Sequence, residues 1–131
     1  MAEKRVLIVD DALIMRKRIR EIAEAAGWQV AGEAQDGEEA VALYQQEQPD
    51  LVTLDIIMPR LDGVSALKQI IAADPQARVV MVSAVNQKGK LAECIQAGAI
   101  DFIVKPFEKA RLLSFFEKYL TAESAKSEAR R

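Results

Sequence analysis

Near the middle of the chain stands the run Leu51-Val52-Thr53-Leu54-Asp55-Ile56-Ile57-Met58-Pro59, in which apolar side chains lead to a single carboxylate. Short apolar runs bounded by turn residues are typical of strands buried in a parallel sheet. Pro49-Asp50 precede this run, and a second turn signal follows it between residues 59 and 63. The pattern therefore predicts a central strand that ends at Asp55. In open α/β sheets, ligands bind at the edge where the carboxyl ends of the strands meet.

Three other strand-like runs end in polar residues and should reach the same edge. Residues 6–9 lead into Asp10 and Asp11, residues 79–82 lead into Ser83, and residues 102–104 lead into Lys105. Because parallel strands share one carboxyl edge, we expect three carboxylates, a hydroxyl and an ammonium to lie close together there.

The order of the elements favours an α/β fold with a parallel sheet. Strands are predicted near residues 5–9, 29–34, 51–55, 78–82 and 101–104, and helices near 12–26, 38–47, 64–73, 88–97 and 108–120. Strict alternation of strand and helix implies right-handed crossovers and helices on both faces of the sheet. We expect one (βα)5 domain over residues 1–120 and a flexible C-terminal tail over residues 121–131.

Length and composition limit the class of protein. The 131 residues suit one domain, and the 18 Lys and Arg against 20 Asp and Glu lack the basic excess of a nucleic-acid-binding protein. No apolar run approaches the ~20 residues that span a bilayer, and the first strand begins too early for a signal peptide. The single cysteine, Cys94, fits a reducing compartment. We therefore expect a cytoplasmic protein without nucleic-acid or membrane partners.

Asp10, Asp11 and Asp55 together suit a divalent cation. Like charges at this range raise one another's pKa values unless something compensates them. The chain has no histidine, and carboxylates with open water positions are typical of Mg²⁺ sites. The alternative is that Asp11 only caps the following helix and that Asp10 is solvated.

Asp55 is a candidate phosphoryl acceptor. Aspartate nucleophiles form aspartyl phosphates, and a metal positions the donor and offsets its charge. Lys105 would neutralise one phosphoryl oxygen, and Ser83 would donate a hydrogen bond to another. Each also has a simpler interpretation, Ser83 as a turn hydroxyl and Lys105 as a surface lysine held extended before Pro106.

Two other α/β classes fit these strand ends poorly. Flavodoxins and dinucleotide enzymes cradle phosphate with glycines or hydroxyls where this chain has Asp10 and Asp11, which would repel a phosphate unless a metal intervened. Phosphatases of the haloacid dehalogenase class need a second aspartate two residues after the nucleophile, where this chain has Ile57.

As an ordered set, these motifs resemble the response-regulator receiver family. The set consists of Asp10-Asp11; Asp55 followed by Met58-Pro59 and Asp62-Gly63; Ser83-Ala84; and Asp101-Phe102-Ile103-Val104-Lys105-Pro106-Phe107. The resemblance covers about residues 4–120 and implies a flavodoxin-like sheet with strand order 2-1-3-4-5. Stretches at residues 11–16, 51–55 and 96–107 are further similar to stand-alone, CheY-like chemotaxis regulators.

The resemblance implies roles for individual residues. Asp55 would be phosphorylated by a histidine kinase, and Mg²⁺ would be held by Asp10, Asp11, Asp55 and the backbone carbonyl of Ile57. Lys105 would contact the phosphoryl group.

The resemblance also implies a switch and an output surface. The hydroxyl of Ser83 would move to the phosphoryl group while the ring of Phe102 turns inward. The output surface would comprise the helix at residues 88–97, the fifth strand and the last helix, and would bind a downstream protein such as a flagellar motor switch protein. The peptide bond before Pro106 is typically cis in the family, and the chain would be a monomer or a dimer that forms on activation.

Two apolar residues predict a long-lived phosphoryl state. Ile57 and Val85 occupy positions that, in the family, influence the rate of dephosphorylation. Neither side chain offers a group that would orient an attacking water.

The leading interpretation is a phosphorylation-dependent binding switch of chemotaxis or motility, which catalyses only its own phosphorylation and dephosphorylation. Two alternatives stay within the family: a phosphorelay intermediate, and a receiver domain cut from a larger regulator with an output domain. Two others are a metal-dependent phosphohydrolase of small phosphate esters and a pseudo-receiver that binds partners without phosphate. The intact Asp55, Ser83 and Lys105 argue against the last of these.

Overall fold

The computed structural model describes residues 3–121, in which a parallel five-stranded sheet carries helices on both faces. The strands are β1 (Arg5–Val9), β2 (Gln29–Ala34), β3 (Leu51–Leu54), β4 (Val79–Ala84) and β5 (Asp101–Lys105). The helices are α1 (Leu13–Ala25), α2 (Gly37–Glu47), α3 (Gly63–Ala73), α4 (Lys88–Ala97) and α5 (Lys109–Thr121), and a 3₁₀ turn at Val85–Gln87 precedes α4. The α5 helix thus includes the first residue of the predicted tail, and the other ten tail residues, 122–131, lie outside the described residues.

The strand order β2-β1-β3-β4-β5 confirms the predicted fold class and topology. All four strand pairs are parallel, and Val9 of β1 lies opposite Leu54 of β3. From β1 the chain first crosses to β2 on one side and then returns to β3 on the other side of β1. Open α/β sheets bind ligands in the crevice at such a point, which here lies between β1 and β3. Asp10 and Asp55 each follow directly after one of these two strands, so the topology places them side by side.

Two apolar layers cover the faces of the sheet. One layer packs α2, α3 and α4 against side chains such as Leu7 and Val52, and the other packs α1 and α5 against side chains such as Ile8 and Leu51. Successive residues of a strand point to opposite faces, so the central strands are apolar on both sides. Polar side chains are therefore concentrated where the strands end. No helix within residues 3–121 has the length and apolar character needed to cross a bilayer.

The helices α2 and α3 begin one residue earlier than predicted, at Gly37 and Gly63. Asp36 and Asp62 precede them as N-caps, and each accepts a hydrogen bond from the main-chain N–H group three residues on, at 2.9 and 2.8 Å respectively. Capping satisfies a donor that the first helical turn leaves unpaired. Both helix starts also contact the β3–α3 loop, which we define as residues 55–62.

Candidate functional site

Three carboxylates meet beyond the ends of β1 and β3. Asp10, Asp11 and Asp55 each offer an oxygen atom, and these oxygens all lie within 4.8 Å of one another. Asp10 and Asp55 are buried, with 1% and 9% of their surfaces exposed, whereas Asp11 is exposed. The structure thus brings together the three acids that the sequence singled out, with two of them inside the protein and one at its surface.

Main-chain hydrogen bonds position the two buried acids. The N–H group of Ala12 donates to Asp10 Oδ1 at 2.9 Å, and that of Ile56 donates to Asp55 Oδ1 at 2.8 Å. The N-cap residue of α1 is Ala12, and α1 has no side-chain cap. The alternative interpretation, with Asp11 as a helix cap and Asp10 solvated, is therefore wrong.

Lys105 lies between the two buried carboxylates. Its Nζ is 2.6 Å from Asp10 Oδ2 and 3.4 Å from Asp55 Oδ2, and only 19% of its side chain is exposed. Burial disfavours the ammonium, but the hydrogen bond to Asp10 and the charge of Asp55 outweigh burial and raise the pKa of Lys105. The interpretation of Lys105 as a surface lysine is therefore wrong. The Lys105–Pro106 peptide bond is cis, which is the isomer that the resemblance implied.

The charges of this cluster do not balance. Burial raises the pKa of Asp55, the ammonium of Lys105 opposes that rise, and the carboxylate of Asp10 adds to it. One ammonium faces three acids, and every acidic ligand atom is a carboxylate oxygen. Such an all-oxygen set, open to water beside the exposed Asp11, fits a hard divalent cation such as Mg²⁺.

Ser83 and Phe102 belong to the neighbouring strands β4 and β5. Ser83 is fully buried, and its hydroxyl donates a hydrogen bond to the carbonyl oxygen of Ala84 at 3.2 Å. Phe102 is 41% exposed and lines an apolar cavity of about 310 Å³ between the sheet and α4. The other lining residues are Ala84, Lys88, Leu91, Ala92, Ile95 and Val104. The cavity therefore lies within the output surface that the resemblance implied.

The β3–α3 loop carries Ile57, whose backbone carbonyl is a predicted metal ligand. Its side chain is 49% exposed, and the loop is closed by a hydrogen bond of 2.7 Å from the N–H group of Gly63 to the carbonyl oxygen of Ile56. Val85, the other residue predicted to influence dephosphorylation, lies in the 3₁₀ turn after β4.

A set of contacts that the sequence did not predict joins this loop to the start of α2. Arg60 Nη1 lies 2.5 Å from the buried Asp36 Oδ2, and the N–H group of Gly37 donates to the carbonyl oxygen of Leu61 at 2.9 Å. The spacing of Asp36 and Glu39 is that of a capping box, which could have identified Asp36 as a helix cap. Nothing in the local pattern pairs it with Arg60.

Comparison with known proteins identifies the family. The response regulator receiver domain matches residues 6–117. The chain is 50% identical over 116 residues to the chemotaxis protein CheY of Bacillus subtilis, covering 88% of this chain and 97% of that protein. It is 49% identical over 115 residues to the CheY of Thermotoga maritima, covering 88% and 96%.

A relative of known structure has the same fold. The crystal structure of a CheX–CheY–BeF₃–Mg²⁺ complex from Borrelia burgdorferi matches with a TM-score of 0.84 and 38% identity over 91% of this chain and 90% of that one. The family match over residues 6–117 runs through all five strands and includes the ends of β1 and β3, beyond which the acidic cluster lies. The chain therefore belongs to the response regulator receiver domain family.

Proposed function

We propose that this chain is a phosphorylation-dependent switch in chemotaxis or motility signalling, in which Asp55 accepts a phosphoryl group from a histidine kinase. The observation that carries the proposal is the acidic cluster, in which the buried Asp55 lies beside two further carboxylates and its Oδ2 lies 3.4 Å from the Lys105 ammonium. The names of the relatives support the chemotaxis role. In this proposal the protein acts in the cytoplasm and catalyses only its own phosphorylation and dephosphorylation.

Asp10, Asp11, Asp55 and the backbone carbonyl of Ile57 would hold Mg²⁺. When bound, Mg²⁺ supplies positive charge that orients the phosphodonor and offsets the charge of the group in transfer. Asp55 attacks phosphorus as a carboxylate, its bond to phosphorus forms, and the bond between phosphorus and the donor breaks. The Lys105 ammonium favours the ionised, nucleophilic form of Asp55 and lies close enough to receive a phosphoryl oxygen.

Phosphorylation would give Lys105 and Ser83 new partners. Lys105 now bonds to Asp10 at 2.6 Å, and Ser83 now donates to the carbonyl oxygen of Ala84 at 3.2 Å. Both donors would turn to phosphoryl oxygens, and the exposed ring of Phe102 would turn inward as Ser83 moves. A shift from 1:99 to 99:1 between two states takes about 5.5 kcal/mol of differential interaction. Two charge-assisted hydrogen bonds and a metal bridge are of the right size to contribute much of it.

The readout of this switch would be the surface formed by α4, β5 and α5. Its apolar cavity is lined by Phe102 and by α4 residues that include Lys88 and Leu91, so movement of the ring changes the shape of the surface directly. We propose that it binds a downstream protein such as a flagellar motor switch protein, with the chain as a monomer or as a dimer formed on activation. The Borrelia relative, whose structure contains CheX, supports a protein partner for this family member.

The intact mass of the protein after incubation with acetyl phosphate tests the proposed function. We expect the native chain to gain one phosphoryl group in the presence of Mg²⁺ and none in the presence of EDTA, because the acids need a cation to admit an anionic donor. No gain with Mg²⁺, in a chain shown to be folded by circular dichroism, would contradict the proposal and favour a pseudo-receiver. Turnover of small phosphate esters well beyond one equivalent would favour a phosphohydrolase.

Replacement of the half-exposed Ile57 should shorten the life of the phosphoryl group. The native side chain cannot hold a water near Asp55, whereas Ile57→Asn supplies an amide that can. We expect hydrolysis to accelerate about fivefold, less than the ~100-fold or more of a true general base, because an amide orients water without taking its proton. The decay of the phosphorylated mass after removal of acetyl phosphate measures the rate.

The control is Ile100→Asn, which makes the same change at a residue of similar exposure beside the amino end of β5, away from the acids. Its hydrolysis rate should equal that of the native chain. Equal lifetimes for Ile57→Asn and the native chain would show that the apolar side chain at this position does not slow hydrolysis.

A further inference from the structure

We infer that Asp36, Gly37 and Arg60 form a clamp that positions the β3–α3 loop and thereby strengthens Mg²⁺ binding at the acidic cluster. The inference rests on the proposed function, because it concerns the same metal site. None of the three residues belongs to the acidic cluster, so each would act through the loop and not by touching the reacting atoms.

The first contact of the clamp is an ion pair between a buried carboxylate and an exposed guanidinium. The Asp36 side chain is 2% exposed, and its Oδ1 accepts a hydrogen bond from the N–H group of Glu39 at 2.9 Å. Arg60 is 60% exposed and places Nη1 2.5 Å from Asp36 Oδ2. The N–H group of Glu39 and the guanidinium of Arg60 hold the pKa of Asp36 below its usual range despite burial. Asp36 is therefore ionised, and its ion pair with Arg60 joins the loop to the N-terminus of α2.

The second contact joins two stretches of main chain. The N–H group of Gly37 donates to the carbonyl oxygen of Leu61 at 2.9 Å. A Cβ atom at Gly37 would lie 2.1 Å from that oxygen and 2.7 Å from the carbonyl carbon. Any side chain at this position would therefore push the loop away from α2. Two consecutive loop residues, Arg60 and Leu61, are thus held by Asp36, the N-cap of α2, and by Gly37, its first residue.

The loop needs such a restraint because of its own conformation. Arg60 has a φ of 64°, in the left-handed region, where a residue with a side chain is strained by about 1 kcal/mol or more. At the other end of the loop, the N–H group of Gly63 donates to the carbonyl oxygen of Ile56 at 2.7 Å. Ile57, the proposed carbonyl ligand of Mg²⁺, lies between these two anchored points. Release of Arg60 would loosen the segment that presents this carbonyl.

The test compares Arg60→Ala and Arg60→Lys with a control variant that removes an ion pair at the opposite end of the sheet. The control is Arg5→Ala, because Arg5 Nη2 lies 2.5 Å from Glu47 Oε1 at the amino end of β1. Arg60→Gly is a second variant that should fold without backbone strain, since glycine adopts positive φ freely. The dissociation constant of Mg²⁺ is measured without a phosphodonor, from the rise in melting temperature with Mg²⁺ concentration.

We expect the Mg²⁺ dissociation constant to rise about tenfold in Arg60→Ala and Arg60→Gly, at the lower end of the effects seen for residues that support metal ligands. Arg60→Lys, which can still pair with Asp36, should recover most of the affinity, and Arg5→Ala should match the native chain. With acetyl phosphate, the Mg²⁺ concentration for half-maximal phosphorylation should rise in parallel, while the rate at saturating Mg²⁺ stays within about twofold of native.

Hydrogen exchange at the Gly37 amide tests the clamp without any metal. We expect exchange to be about tenfold faster in Arg60→Ala than in the native chain, and unchanged in Arg5→Ala. Unchanged exchange, or a Mg²⁺ dissociation constant within twofold of native in both Arg60→Ala and Arg60→Gly, would overturn the clamp. A native chain that binds no Mg²⁺ would instead overturn the proposed function, and with it the role of the clamp in metal binding.

Discussion

Asp55→Asn should gain no phosphoryl group from acetyl phosphate and Mg²⁺, and should also be more stable than the native chain at neutral pH without Mg²⁺. The loss of phosphorylation follows from chemistry, because an amide is not a nucleophile toward phosphorus under these conditions. The gain in stability follows from geometry. Asp55 is a buried carboxylate beside Asp10, whereas an uncharged amide oxygen can keep the hydrogen bond from the N–H group of Ile56 without the cost of a buried charge.

The pH dependence of stability distinguishes this explanation from a general effect of the substitution. Burial, reinforced by Asp10 and opposed by Lys105, raises the pKa of Asp55 above its ordinary value of 3.8. A group whose folded-state pKa is raised adds stability that is fully present below its unfolded pKa and is lost as the pH rises through its folded pKa. The native chain should therefore lose this contribution between acidic and neutral pH, whereas Asp55→Asn should not.

Urea unfolding in EDTA, at several pH values, measures the difference between the two proteins. We expect Asp55→Asn to gain on the order of 1 kcal/mol in free energy of unfolding at neutral pH, a size common for relief of strain at a functional site. Asp11→Asn changes an exposed member of the same cluster and should stay within about 0.5 kcal/mol of native. A less stable Asp55→Asn would show that the pairing of Asp55 with Lys105 outweighs the cost of burial. Phosphorylation of Asp55→Asn would mean that another residue is the acceptor.

The site was largely predictable because it lies where strands end. A strand buried on both faces is a continuous apolar run, so the first polar residue after it is conspicuous in the sequence. Asp10 and Asp55 directly follow β1 and β3, whereas Ser83 and Lys105 are the first polar residues after the apolar parts of β4 and β5 and lie within those strands. All four were recognised in this way, and parallel alternation predicted that they share one edge. The order of the strands in the sheet came from the family resemblance, because alternation alone does not determine which strands are neighbours.

Contacts between distant parts of the chain were not predictable from local patterns. Lys105 was predicted to contact a phosphoryl group, and in this structure its ammonium also pairs with Asp10, 95 residues away in sequence. Arg60 and Asp36 are 24 residues apart and meet only because the loop after β3 crosses the turn before α2.

Gly63→Ala should be among the most damaging small substitutions in the chain. The need for glycine at this helix start comes from tertiary packing and not from the local sequence pattern. A Cβ atom at Gly63 would lie 1.9 Å from the carbonyl oxygen of Asp55 and 2.8 Å from Ile56 Cα. These are main-chain atoms at the end of the central strand, so no side chain can rotate away to make room. The substitution must displace either the start of α3 or the main chain of Asp55 itself, and it would strain the 2.7 Å hydrogen bond from Gly63 to Ile56.

We expect Gly63→Ala to lower the free energy of unfolding by about 3 kcal/mol, at the upper end of the cost of overpacking a core. Gly89→Ala is the matched control, because Gly89 lies in α4 and, apart from its chain neighbours and the backbone of its own helix, no atom lies within 4 Å of its ideal Cβ position. Alanine there should stabilise the protein by about 0.5 kcal/mol through helix propensity. Urea unfolding of both variants gives the comparison, and equal stabilities would contradict the close approach of Gly63 to the main chain of Asp55. Where Gly63→Ala remains folded, its phosphorylation should be slower than that of Gly89→Ala, because the displaced atoms include the main chain that carries the phosphoryl acceptor.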